Sequence, residues 1–274
     1  MCSSDLKPEV VFHAAAYKHV PMMEKNPWQA VLNNIMGSRV AMEMAIKHHV
    51  ERFVLVSTDK AVRPTNVMGA SKRVTELIMQ CQQGNGTRFM AVRFGNVIGS
   101  SGSVIPLFRR QIEQGGPVTV THPEINRFFM TIPEAAQMIL QAGTMGEGGE
   151  IFILRMGTPI KIAEMARDLI RLSGKEPDVD IKIVFTGLRE GEKLYEELIT
   201  VGEDIMPTSH KKVMVLQSNG FINGAKNSEE AKIYLYNKLD QLAGLAAQHD
   251  ARGIKIKLKE IVPEYTPQEN ESVF

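Results

Sequence analysis

Short apolar runs alternate with longer helical patterns in the first hundred residues, and this alternation limits the folds open to the chain. Residues 53–56 contain no polar side chain, which is typical of a strand buried on both faces of a sheet. Further strands are predicted at 9–12 and 87–94, with helices between the strands over about 26–49 and 69–83. Strands separated by helices of this length predict β-α-β units and a parallel sheet of the α/β class.

Composition excludes several other classes. The chain has 274 residues, of which 43% are hydrophobic and 23% charged, as in soluble globular proteins rather than disordered ones. A net charge of +1 without a basic block argues against nucleic-acid binding. No apolar run reaches the roughly 18 residues of a membrane-spanning helix, and no signal-peptide pattern opens the chain. Cys2 and Cys81 are far apart, so we expect no disulfide framework and no metal site, and a cytoplasmic location is the simplest interpretation.

Small and polar residues follow three of the predicted strands. They lie at positions 14–18, 58–60 and 95–99. In parallel sheets, ligands bind at the carboxyl ends of the strands. The sequence therefore predicts one ligand site made by these three segments.

The glycine turn that binds a dinucleotide pyrophosphate, G-x-G-x-x-G, is missing from the sequence. Either the fold binds no dinucleotide, or the first β-α-β part of the fold precedes the sequence considered. The resemblance described below favours the second interpretation, so we expect an N-terminally truncated domain.

The second half has a mixed pattern. An amphipathic helix is predicted at 160–173, a strand at 181–185 and a further helix at 227–245. Residues 254–261 alternate between apolar side chains and lysine, which favours a strand, although a basic helix is also possible. We expect a partial dinucleotide-binding domain at 7–155, a substrate-binding lobe at 156–216 and a C-terminal extension at 217–274.

Several segments, in order, resemble one family of enzymes. The segment at 57–72, STDKAVRPTNVMGASK, resembles the active-site segment of extended short-chain dehydrogenases/reductases, and more narrowly the CapD-like polysaccharide-biosynthesis family of nucleotide-sugar 4,6-dehydratases. Further matches are HAAAYKHVPMME, NNIMGS, RFGNVIGSSGSVIPLF, RFFMTIPEA and LREGEKLYEEL, so the resemblance covers about residues 9–216. It implies a partial Rossmann-like, doubly wound parallel sheet with a smaller mixed substrate-binding lobe.

The resemblance implies a three-step reaction on UDP-N-acetylglucosamine. NADP or NAD oxidises carbon 4 of the sugar, water leaves from carbons 5 and 6, and the hydride returns to give a 4-keto-6-deoxy product. The elimination needs an acid for the hydroxyl and a base for the proton. By resemblance, Asp59 is the acid and Lys60 the base. Lys60 would then have to be neutral part of the time, which requires a pKa well below about 10.4.

Met68 and Lys72 are four residues apart at the start of a predicted helix and so share one face. In most short-chain dehydrogenases this pair is Tyr-x-x-x-Lys, where the lysine binds the nicotinamide ribose. Methionine cannot titrate, so the base for the oxidation step stays open between Thr58, Asp59, Lys60 and a bound water. We also expect Ala14, Ala15 and Phe94 beside the cofactor.

The sequence indicates the substrate-binding residues less specifically than the catalytic ones. Each of them is also compatible with an ordinary surface role. By resemblance, Asn96 lies near the diphosphate, and Val104 and Pro106 flank the uracil. Guanidinium groups bind phosphate oxygens bidentately, which makes Arg127 and Arg189 diphosphate candidates. The remaining candidates are Glu192 for a ribose hydroxyl, and Lys18 and His19 for the sugar.

Two other functions stay open. An epimerase of the same superfamily would use the oxidation without the elimination, and Asp59–Lys60 argues against it. A non-catalytic nucleotide-sugar-binding protein is the third possibility, favoured by Met68 and the missing glycine turn. We expect a UDP-sugar ligand and a homo-oligomer. The long branch of the family carries membrane helices ahead of the matched part, so an anchor at the cytoplasmic face of the inner membrane is a second possible location.

Overall fold

The apolar run at 53–56 lies in the interior of a parallel sheet. It belongs to strand β2 (Arg52–Val56), which pairs in parallel with β1 (Val10–His13) and with β3 (Arg88–Arg93). Because successive side chains of a strand point to opposite faces, Phe53 and Leu55 pack in one apolar cluster and Val54 in another. The computed structural model describes residues 6–199, 205–216 and 228–267. The α/β fold with a parallel sheet is confirmed.

β8 (Ile151–Leu154) is parallel to β3, and β12 (Val213–Leu216) and β11 (Ile205–Pro207) add two antiparallel strands. Among the described residues the sheet thus has six strands, in the order β1-β2-β3-β8-β12-β11. Residues 205–216 therefore extend the main sheet, although we expected them in the substrate lobe. The backbone of β12 hydrogen-bonds to β8, and β11 hydrogen-bonds to β12, so these pairings place the segment in the main sheet although it follows the lobe in sequence.

Helices cover both faces of the sheet. The first five are α1 (Val20–Lys25), α2 (Pro27–Gln29), α3 (Gly37–Lys47), α4 (Val67–Gln80) and α5 (Val104–Glu113). Later in the described part of the chain come α6 (Ile132–Met145), α7 (Ile162–Leu172), α8 (Ser228–Ala247) and α9 (Ala251–Ile261). A π-helical stretch, Ala30–Met36, joins α2 to α3 within the segment predicted as one helix. Helices α2, α3, α4, α8 and α9 lie on one face, and α6 lies on the other.

A smaller lobe follows the third strand. Its parallel pair is β5 (Val118–Val120) with β10 (Ile183–Phe185), and α5 and α7 pack against it in a separate apolar cluster. Two short pairs connect the lobe to the sheet: β4 (Asn96–Val97) with β7 (Phe129–Met130), and β6 (Asn126–Arg127) with β9 (Ile160–Lys161). This arrangement forms a cleft between the lobe and the carboxyl ends of the parallel strands.

The favoured strand at 254–261 is wrong, because this segment is helix α9. Ile254, Leu258 and Ile261 are fully buried at helical spacing, whereas Ile256 is 59% exposed. Asp250 accepts a hydrogen bond from the Gly253 N–H and so caps the helix. Packing against α8 buries only the helical subset of the alternating apolar residues.

Within residues 6–199, 205–216 and 228–267, every helix is too short or too polar to cross a lipid bilayer.

Candidate active site

A cavity of about 500 Å³ lies between the strand ends and the smaller lobe. The segments after β1, β2 and β3 all line it, as the sequence predicted for one ligand site. It gathers most of the predicted site residues, namely Ala14, Lys18, His19, Thr58, Lys60, Lys72, Phe94, Asn96, Val104, Arg127, Arg189 and Glu192. Asp59 is completely buried beneath Lys60. Ala15 is exposed and is not among the residues that line the cavity.

Asp59 and Lys60 form an ion pair at the end of β2. Asp59 begins a short 3₁₀ turn, and its backbone N–H donates to the Phe94 carbonyl at 3.0 Å. Asp59 Oδ1 accepts hydrogen bonds from Lys60 Nζ at 3.0 Å and from Thr58 Oγ1 at 2.9 Å. Asp59 Oδ2 is buried and has no hydrogen-bond partner in the described part of the chain. The carboxyl is thus held rigidly, while the ammonium reaches the cavity.

The charge state of Lys60 differs from the expectation. Burial lowers the pKa of Lys60, but the carboxylates of Asp59 and Glu196 outweigh burial and hold the pKa above its usual 10.5. The structure therefore raises the pKa of Lys60, whereas the basic role expected of Lys60 requires a lowered pKa. The sequence could not provide this result, because Glu196 is far from Lys60 along the chain.

Glu196 is the residue that the sequence reasoning missed. It lines the cavity, its Oε1 lies 3.9 Å from Lys60 Nζ and 3.7 Å from Arg127 Nη2, and its Oε2 is buried without a partner among the described residues. Burial and the neighbouring Asp59 raise the pKa of Glu196 despite the nearby cations. The signal in the sequence that could have pointed to Glu196 was its position within LREGEKLYEEL, one of the segments that resemble the family.

Lys72 faces the same cavity from α4. Asn66 caps this helix by accepting a hydrogen bond from the Gly69 N–H at 2.7 Å, and Met68 lies one turn before Lys72. Burial lowers the pKa of Lys72 from 10.5 to about 8, with the carboxylate of Glu76 acting in the opposite direction. The predicted shared face of Met68 and Lys72 is confirmed by their common place in the cavity wall.

A buried ion-pair network supports these strand ends from below. Arg93 donates to both Glu76 carboxylate oxygens at 2.8 Å, and Ser57 Oγ donates to Glu76 Oε1 at 2.6 Å. Burial alone would raise the pKa of Glu76, but Arg93 and Arg73 hold it at about 2. The network joins β2, β3 and α4 directly behind the cavity.

The loop after β3 closes against the loop after β1. Lys18 Nζ donates to Ser100 Oγ at 3.1 Å, and burial together with the charge of Lys60 lowers the pKa of Lys18. A Cβ on Gly102, whose φ is +67°, would lie 2.5 Å from His19 Cε1. Asn34 on the π-helical stretch hydrogen-bonds to both backbone groups of Tyr17 and donates to the Ser71 hydroxyl.

Arg127 is buried in the cavity wall. Its guanidinium donates to the carbonyls of Asn126, Lys193 and Leu194, and Nη2 lies 3.7 Å from the carboxylates of Glu192 and Glu196. Arg127 therefore fixes the irregular segment that contains Lys193, Leu194 and Glu196. Arg189 is exposed at the cavity rim, and its backbone N–H donates to Glu192.

No group of three metal-ligating side chains occurs within the described ranges.

Comparison with known proteins identifies the family. Residues 2–218 match the family described as "Polysaccharide biosynthesis protein". The "Capsular polysaccharide biosynthesis protein CapD" of Staphylococcus aureus is 58% identical over 202 residues, which are 73% of this chain and 34% of that protein. A "UDP-glucose 4-epimerase" of Rickettsia canadensis is 40% identical over 196 residues, covering 70% of this chain and 56% of the epimerase.

The solved structure of Pen from Bacillus thuringiensis superimposes with a TM-score of 0.71 at 36% identity, covering 84% of this chain and 75% of Pen. The chain spans only about a third of the CapD sequence, so the match concerns one part of such a protein. The family match covers the strands, the cavity and the segment that contains Glu196. The chain therefore belongs to the polysaccharide biosynthesis protein family.

Proposed function

We propose that this chain is the catalytic and substrate-binding part of a nucleotide-sugar 4,6-dehydratase that acts on UDP-N-acetylglucosamine for surface-polysaccharide synthesis. The observation that carries the proposal is the Asp59–Lys60 pair, 3.0 Å apart at the end of β2, with Lys60 and Lys72 both lining one cavity. An elimination needs an acid and a base together, whereas an oxidation alone does not. Family membership and the CapD relative support a role in polysaccharide synthesis.

In this proposal Asp59 gives a proton to the departing carbon-6 hydroxyl, and Lys60 accepts the carbon-5 proton. The two carboxylate neighbours of Lys60 keep it charged, so its proton must first pass to Asp59 Oδ1 along their 3.0 Å hydrogen bond, which leaves a neutral amine and a protonated carboxyl. Thr58, which donates to Asp59 Oδ1, keeps the carboxyl oriented while its protonation changes.

The residues present fit the ribose end of a nicotinamide dinucleotide, NADP or NAD. Lys72, Ala14 and Phe94 line the cavity together, and the small Ala14 leaves space at the end of β1. With a pKa of about 8, Lys72 stays largely charged at neutral pH and can donate to ribose hydroxyls. The bound cofactor would take the sugar's hydride and return it.

The substrate's nucleotide half is proposed to lie along the smaller lobe. Lys18 and Asn96 offer polar groups toward the sugar and diphosphate, and Val104 contributes an apolar wall for the base. The rim residues Arg189 and Glu192 are proposed to contact the diphosphate and the ribose. His19, held beneath the loop at Gly102, is assigned to the sugar side.

A 4-epimerase acting on a UDP-sugar is the second candidate. The 40% identical R. canadensis relative is named as such an enzyme, and a charged Lys60 is suited to binding a sugar oxygen rather than to accepting a proton. An epimerase would return the hydride to carbon 4 and leave the carbon-6 hydroxyl in place.

Incubation of the full-length protein with UDP-N-acetylglucosamine and NAD or NADP distinguishes the candidates, with products identified by mass spectrometry and NMR. A 4-keto-6-deoxy product, lighter than the substrate by one water, is the expected result. A product of unchanged mass with inverted carbon 4 would replace the proposal by epimerisation. UDP-sugar binding without turnover, in a preparation whose cofactor binding is verified, would support a binding protein.

A further inference from the structure

The C-terminal helices α8 and α9 lie beyond the residues that match the family, yet they belong to the main core. Leu235, Leu239 and Leu258 are fully buried in the same apolar cluster as Val67 and Met68 at the start of α4. The family match ends at residue 218, whereas α9 ends at Ile261. The helix pair therefore packs directly behind one wall of the cavity.

Lys255 on α9 connects this helix pair to the cavity rim. Its Nζ lies 2.7 Å from Glu24 Oε2 and 3.3 Å from Glu190 Oε1. Glu24 is buried on α1, and its other oxygen accepts the backbone N–H of Val67. One ammonium thus joins three segments, namely α1, the start of α4 and the rim loop that contains Glu190.

The rim loop is anchored at its centre. The Gly191 carbonyl accepts hydrogen bonds from Thr65 Oγ1 at 3.1 Å and from Asn66 Nδ2 at 3.0 Å. A Cβ on Gly191, whose φ is +75°, would lie 2.6 Å from Asn66 Cβ. Glu190 and Gly191 both line the cavity, between Arg189 and Glu192. Glu190 and Gly191 are therefore the backbone link between those two flanking residues.

A second set of contacts connects the segment after α9 to the chain next to Thr65 and Asn66, which bind the Gly191 carbonyl. The Thr266 N–H donates to the Pro64 carbonyl at 2.9 Å, next to Thr65 and Asn66. Glu264 accepts from Arg73 Nε on α4 at 2.9 Å. The C-terminal segment thus holds both the loop residue Glu190 and the residues that bind Gly191.

We propose that Lys255 is a positioning residue for nucleotide binding: by holding Glu190 it fixes Arg189 and Glu192 at the cavity rim for a nucleoside diphosphate. The inference rests on the proposed function for the class of ligand. Burial lowers the pKa of Lys255, but Glu24 and Glu190 raise it above the usual 10.5, so the link stays charged at neutral pH. Lys255 touches no ligand itself and acts through Glu190.

The test compares UDP affinity, by calorimetry, and amide hydrogen exchange at residues 189–193, both on the 274-residue chain. Lys255→Met is expected to weaken UDP binding about five- to tenfold and to speed exchange of the rim loop without ligand. Glu190→Gln keeps the Lys255–Glu24 pair and should produce the same loss, and the double variant should add little to it. Lys257→Met is the matched control, because Lys257 lies on the same helix but bonds to Gln241 and Glu260.

The outcomes separate this inference from the proposed function. Faster loop exchange in Lys255→Met in a chain that does not bind UDP would support positioning and overturn the assigned ligand class. Wild-type UDP affinity and wild-type loop exchange in both Lys255→Met and Glu190→Gln would overturn the positioning role and leave the ligand class intact. Equal effects from Lys257→Met would also overturn it, since the loss would then come from helix packing alone.

Discussion

Lys60 Nζ lies 3.0 Å from Asp59 Oδ1, although the two residues are neighbours in sequence and both belong to one short turn. Adjacent side chains rarely converge in this way on an extended strand, where they point to opposite faces. The 3₁₀ turn at the end of β2 brings them to the same side. The amine of Lys60, which lines the cavity, is consequently within one hydrogen bond of the buried Asp59 carboxyl.

Replacing Lys60 with Met in the full-length enzyme removes the proposed base but keeps a side chain of similar length. Formation of the 4-keto-6-deoxy product is expected to fall by about 100-fold or more, the usual size of a general acid–base contribution. Product formation is followed by mass spectrometry. Lys161→Met, an exposed lysine paired with Glu124, should keep wild-type activity. Unchanged turnover in Lys60→Met would remove Lys60 from the mechanism.

Glu196→Gln is expected to lower the pKa of Lys60, because it deletes one of the two carboxylates that raise this pKa. Glutamine has nearly the same shape as glutamate, so the substitution removes the charge and keeps the packing. If Glu196 acted on Lys60 only through packing, the pKa of Lys60 would not change. The measurement is an NMR titration of lysine side chains, with Lys60 assigned by its absence in Lys60→Met. Glu197→Gln is the matched control, since Glu197 pairs with Arg63. A Lys60 titration curve identical in wild type and Glu196→Gln would contradict the prediction.

Lys72→Met is expected to stabilise the protein at pH 7, because the wild type holds a buried charge. The pKa of Lys72 is about 8 when folded and 10.5 ordinarily, so below pH 8 the full penalty applies. As pH rises from 8 to 10.5, the folded state has lost the proton that the unfolded state still binds, and wild-type stability increases.

The advantage of the Lys72→Met variant, at most about 3 kcal/mol, should therefore shrink as the pH approaches 10.5. Urea unfolding at pH 7 and pH 10 measures it, and exposed Lys182→Met should change stability by less than about 0.5 kcal/mol. An advantage that is the same at both pH values would show that it does not come from the charge.

Gly69→Ala is expected to destabilise the site. An added Cβ would lie 2.1 Å from the Lys60 carbonyl oxygen, so either the turn or α4 must move. We expect a loss of about 1–3 kcal/mol, the range for overpacked cores, measured by urea unfolding. Gly244→Ala on α8 is the contrasting control, since its Cβ meets nothing within 4 Å and the change should stabilise the helix. Equal effects of the two substitutions would contradict the packing argument.

The sequence by itself determined the parallel sheet and the convergence of polar segments at its carboxyl edge, and most of the predicted site residues line the cavity there. Apolar runs and the segment from Ser57 to Lys72 are local signals, and local hydrogen bonding and burial act on them directly. The tertiary structure decided three other features: the helical state of α9, the nearness of Glu196 to Lys60, and the link from Lys255 to Glu190. Each feature depends on contacts with other parts of the folded chain. Packing decides which face of α9 is buried, and folding decides which charged groups lie beside Lys60 and Lys255, because the local sequence pattern specifies neither.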